Sequence, residues 1–124
     1  MAASREKVLY FAPQPSEQTA ALKTVLVRMG VRIKNVEAAS AGQTVGFLLG
    51  RKGFAESDAP AEAPSAPMLV LDGFTEKRLE ILLREMKAHG ISVPYKAIVT
   101  EHNIGWSLSA LFAELVREHE AMHQ

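Results

Sequence analysis

Two short runs, residues 8–11 and 68–71, are apolar at every position. A strand with one face in water alternates between apolar and polar residues. A strand that is apolar throughout is covered on both faces, so both runs read as central strands. Two further segments mix apolar and charged residues. Residues 31–36 carry Arg32, Lys34 and Asn35, and residues 95–99 carry Lys96. Both read as edge strands, where charge on the outer rim blocks further pairing.

Between the strands the apolar period changes to three and four. Leu22, Val25, Leu26 and Met29 form one helical stripe behind Ser16, a good N-cap residue. Gly30 is placed to stop that helix in the left-handed conformation, with Val31 packing back on Leu26. Ser40 and Gln43 have the spacing of a capping box for a short helix with Val45, Leu48 and Leu49. Gly46 inside it suggests close packing or a break. Thr75 caps a third helix with Leu79, Leu82, Leu83 and Met86 on one face, and Gly90–Ile91 repeats the Gly30–Val31 stop. Ser107 caps the last helix, with Leu108, Leu111, Phe112, Leu115 and Val116 as its stripe. Phe74 with Leu79, and Trp106 with Leu111, have the spacing of hydrophobic staples, which puts Trp106 in the core, the alternative being a loop tryptophan that walls a binding pocket.

Four alternating strand–helix units predict one α/β domain over residues 1–124. The expected sheet is mostly parallel, in the order 2-1-3-4, with helices on both faces and a switch point between strands one and three. A ferredoxin-like α+β arrangement is the alternative, with residues 31–36 pairing antiparallel. Residues 56–67 contain three prolines and no large apolar side chain, so a mobile Ala/Pro-rich linker is expected at about 55–67.

Composition narrows the chemistry. There are no cysteines, which excludes disulfides, thiolate metal sites and cysteine nucleophiles. Lys plus Arg and Asp plus Glu are 14 each, so nothing global asks for nucleic acid. No stretch approaches the ~18 apolar residues of a membrane span, and the first apolar run is too short for a signal peptide. The expectation is a cytoplasmic protein with no membrane or nucleic-acid partner and no cofactor.

Ligands of open parallel sheets bind beyond the carboxyl ends of the strands. That rule nominates Gln14, Asp72, Thr100, His102 and Asn103 as ligand-binding candidates. Helix N-termini at Ser16, Thr75 and Ser107 would add donors for a small anion. The same residues also suit plain turns: Asp72 with Gly73, and Asn103 within its loop. None of the spacings names a nucleophile–base set, so no catalytic residue is assigned and the reading leans away from an enzyme. His119-Glu120-Ala121-Met122-His123 fits the zinc-protease pattern. A catalytic zinc needs a third protein ligand, and Gln124 follows at once, so no metal site is assigned to His119 and His123.

The run Lys96-Ala97-Ile98-Val99-Thr100-Glu101-His102-Asn103-Ile104-Gly105-Trp106, followed by Leu111, Glu114, Glu118, His119 and Met122, resembles a small bacterial family, the domain of unknown function 3783. The resemblance rests on a Lys-Ala-x-x-Thr-x-x-Asn-x-x-Trp pattern and covers residues 68–122. Asp72-Gly73-Phe74 resembles the start of that domain, and Gln43 to Leu48 resembles a segment upstream of it in longer members. It implies a domain and supplies no mechanism. The functional expectation is a non-enzymatic binding or regulatory module or a protein-interaction module, with the partner open between a protein and a small anion. A small enzyme or anion-binding domain using the strand ends is the alternative.

Overall fold

The computed structural model describes residues 5–14 and 16–122. The elements are β1 (Lys7–Phe11), α1 (Glu17–Arg28), β2 (Arg32–Asn35), a 3-10 turn (Ala38–Ser40), α2 (Val45–Leu48), β3 (Met68–Asp72), α3 (Glu76–Ala88), β4 (Tyr95–Ile98) and α4 (Leu108–Met122). They form an α/β fold on one sheet in the order β2-β1-β3-β4. The two all-apolar strands are central and the two mixed ones are edges, as their patterns require.

The expectation of a mostly parallel sheet holds for two of the three strand pairs. β1 pairs with β2 and β3 with β4 in parallel, but β1 and β3 are antiparallel, with Leu9 opposite Val70 and Lys7 opposite Asp72. The sheet is therefore mixed. The cause lies in residues 49–67. The chain leaves α2 at the Lys7 end, where Leu49 accepts a bond from Lys7 Nζ and Arg51 pairs with Asp72. The segment at 55–67, which has no helix or strand, then runs back to the Phe11 end, where Met68 begins β3. Thirteen residues reach at most about 45 Å, ample for one strand length. That second crossing reverses β3. Antiparallel pairing occurs between β1 and β3 and not at β2, so the ferredoxin-like alternative does not hold.

The reversal makes the molecule two βαβα units related by an approximate two-fold axis through the sheet centre. Right-handed crossovers in two units facing opposite ways put both crossover helices on one face. Leu22, Val25 and Leu26 of α1 accordingly share a core with Leu82 and Met86 of α3 over Val8, Tyr10, Leu69 and Leu71. α2 and α4 cover the other face, packing Val45, Leu48, Leu108, Leu111 and Phe112 on Leu9, Phe11, Met68 and Val70. The helix stops repeat too. Val31 N–H donates to Leu26 O and Ile91 N–H to Met86 O, after Gly30 at φ 74° and Gly90 at φ 68°.

Caps follow the sequence in part. Thr75 and Ser107 accept from Arg78 and Ala110 N–H, as expected. Ser16 sits at the N-cap of α1 without a side-chain bond. The capping box at Ser40–Gln43 does not form. Thr44 caps α2, and the Gln43 side chain reaches elsewhere.

Candidate functional site

The loops before α2 and α4 meet at the two-fold axis. Val45 N–H donates to Trp106 O, and Leu108 N–H to Gln43 O. Gly46 N–H donates to Ile104 O, and Ser109 N–H to Ala41 O. Each pair is one bond repeated at a shift of 63 positions, and the N-caps Thr44 and Ser107 form a bridge between them. Each helix N-terminus thus has orphan N–H groups satisfied by carbonyls from the other unit.

Three of the nominated residues come together after β4. Val99 N–H donates to Leu71 O, so by alternation Lys96, Ile98 and Thr100 turn their backbone groups to the open edge. There Asn103 acts as a one-residue strand. Its Nδ2 donates to Ile98 O and its Oδ1 accepts from Thr100 N–H, both at 2.9 Å. Thr100 Oγ1 accepts from His102 and Asn103 N–H at 3.2 Å. The Thr-x-x-Asn spacing is thus the spacing of a closed turn that ends the edge. Below it, the Lys96 N–H and C=O and the Ile98 N–H face outward along the rim of the sheet, the Ile98 C=O being taken by Asn103.

Beside that rim lies a groove of about 390 Å³. Lys96, Ala97 and Ile98 form one wall, and Leu111, Glu114, Leu115 and Glu118 of α4 form the other. Thr100, His102, Asn103 and Trp106 close one end. Ile98 is 49% exposed and Trp106 38%, so Trp106 is a groove wall and not the core residue its staple spacing suggests. The Lys96 ammonium donates to Val93 O at 2.6 Å, and burial lowers its pKa below the ordinary lysine value.

The other two nominees lie elsewhere. Asp72 accepts both contacts from Arg51 Nη2, at 2.8 and 2.7 Å, and is not part of the groove. Gln14 follows β1, whose end is opposite that of β3, so reversal of β3 separates it from Asp72. His119 packs its ring against Tyr95 at 5.3 Å, while His123 lies outside the described residues. The walls Ile98 and Leu115 were not nominated: their apolar character reads as strand and helix core, and only the edge position of β4 exposes them.

Residues 67–122 match the model of a family described as Domain of unknown function (DUF3783). These residues are a DUF3783 domain. The domain comprises β3, α3, β4 and α4, the second of the two units. No curated protein and no solved structure matches the chain. Within the DUF3783 domain, Lys96, Thr100, Asn103, Trp106, Leu111, Glu114 and Glu118 of the sequence pattern all line the one groove.

Proposed function

We propose that this protein is a non-enzymatic docking module that takes an extended segment of a partner protein along the β4 edge, with Trp106 as the apolar anchor. Edge strands recruit extended chains through outward N–H and C=O groups, and a flanking helix supplies side-chain pockets. The Lys96 N–H and C=O and the Ile98 N–H offer the first, and α4 offers the second.

The observation that carries this reading is the different cover on equivalent positions of the two units. In the first unit the chain lays its own extended segment over the loop before α2. Gln43 Nε2 donates to Ser57 O and Gln43 Oε1 accepts from Ser57 N–H, both at 2.8 Å. A Cβ built on Gly42 would stand 2.3 Å from Ala59 O. In the DUF3783 unit the equivalents are Gly105 and Trp106. A Cβ on Gly105 would meet nothing within 4 Å. The first unit thus offers an example within the chain: a stretch rich in Ala, Pro and Ser lies on this surface. An indole in place of Gln43 suits a proline ring, since proline-bearing extended segments seat on aromatic walls. Thr100 and Asn103 are committed to each other's backbone, which favours docking over acid–base chemistry at this loop.

Trp106 is the sole tryptophan of the chain, so its emission reports the groove directly. The test titrates a panel of eight-residue peptides containing Ala-Pro and Pro-x-x-Pro, including one copying residues 57–64. A saturable blue shift at micromolar to ~1 mM peptide, abolished by Ile98→Lys, is the expected result. An unchanged spectrum across the panel, or a shift that survives Ile98→Lys, overturns the reading.

A further inference from the structure

A second hollow, of about 260 Å³, opens where the first unit meets the end of β3, lined by Arg5, Glu6, Lys7, Arg32, Leu49, Arg51 and Asp72. Four cations and two carboxylates face it. Glu6 is only 8% exposed and accepts two bonds from Arg78, which draws its charge away from the hollow. Asp72 is held by Nη2 of Arg51 alone, so Nε and Nη1 of that guanidinium are not used in this pair. Lys7 Nζ donates one hydrogen to Leu49 O and carries two more. Arg5 and Arg32 are exposed. Four cations against Asp72 leave three positive charges concentrated here, on a chain whose formal charges balance.

The DUF3783 unit does not repeat this cluster. At the shift of 63, Arg32, Leu49 and Arg51 correspond to Tyr95, Phe112 and Glu114 of the DUF3783 unit. There Tyr95 and Phe112 pack edge to face at 5.1 Å. Where the DUF3783 unit packs Tyr95 on Phe112, the first unit carries Arg32 beside Arg5, Lys7 and Arg51, at a cost in mutual repulsion. A bound anion offsets that cost.

We propose that this hollow is a binding site for the phosphate or pyrophosphate group of a small phosphorylated metabolite. Arg5, Arg32 and Arg51 would supply forked donors and Lys7 a point charge. Guanidinium matches tetrahedral oxyanions in bidentate geometry, and Asp72 would fix the Arg51 fork. The site is independent of the β4 groove.

The full chain, titrated with sodium pyrophosphate at constant ionic strength, gives the test, with amide shifts at Leu49, Arg51 and Asp72 as the readout. Saturable shifts below ~10 mM pyrophosphate are expected. Arg5→Glu/Arg32→Glu, which alters only exposed side chains, lowers affinity at least about tenfold while the melting temperature without ligand stays near that of the parent. Shifts reproduced by sodium chloride alone, or retained in the double variant, overturn the site. So does an oligonucleotide that binds through these arginines when pyrophosphate does not.

Discussion

The two edges of the sheet are equivalent by the internal two-fold and opposite in chemistry. β2 is rimmed by Arg32, Lys34 and Asn35, and Lys34 Nζ is tied to Leu48 O at the end of α2. β4 carries Ile98 half in water, with its one lysine folded back onto Val93 O. Charge on an edge keeps other strands away, while an exposed apolar edge with outward backbone groups invites them. One unit has closed its loop surface with its own segment at 54–61 and concentrated cations. The other, the DUF3783 domain, has kept an open groove. β2 and β4 hold equivalent places beside β1 and β3 while their side chains differ, so the frame alone does not set the chemistry of an edge.

The largest effect should come from the shared core, where the units ought to be alike. Leu22 and Leu82 are both fully buried in the α1/α3 layer. Leu22→Ala and Leu82→Ala should each lose about 3 kcal/mol in urea unfolding, and both in a single transition. A second transition for Leu82→Ala alone would show the units to be energetically separate.

The next effect is where they ought to differ. Gly42→Ala drives a methyl into the Ala59 carbonyl, a backbone atom, and should cost about 1–3 kcal/mol. Gly105→Ala enters open space and should change stability by less than about 0.5 kcal/mol, or raise it slightly by restricting the unfolded chain. Equal costs at the two glycines would remove the contrast between covered and open surfaces.

The smallest effect concerns pH. Burial lowers the Lys96 pKa from 10.5, so in the upper window just below 10.5 the unfolded chain binds more protons than the folded one. The charged lysine opposes folding below its folded pKa, and that opposition fades as pH rises towards 10.5. Stability should therefore gain a small increment across the window, absent in Lys96→Met. Ile33, its counterpart on β2, carries no charge, so Ile33→Val should keep the increment. Urea titrations from neutral pH upward measure it.

Much of this frame was legible in the chain. Continuous apolar runs marked β1 and β3 as central because both faces of the sheet are covered. Charge marked β2 as an edge, and Gly30 and Gly90 marked helix ends because each must take a positive φ. The site was legible only in part. Thr100, His102 and Asn103 do share one loop and one groove. Gln14 and Asp72 were grouped with them by a rule that assumes parallel neighbours, and the antiparallel β1–β3 pair voids it. Trp106 was misplaced because staple spacing says what a side chain can reach, and not whether the neighbouring strand is the last in the sheet.

By itself, the sequence determined the elements, their order across the sheet and the polar loop after β4, since those depend on local period, capping and burial demand. The tertiary structure decided the direction of β3, and with it the internal two-fold, the separation of Asp72 from Gln14 and the exposure of Ile98 and Trp106. Strand direction depends on where a featureless segment at 55–67 returns the chain, and that is set by contacts as distant as Gln43 with Ser57 and Phe11 with Met68.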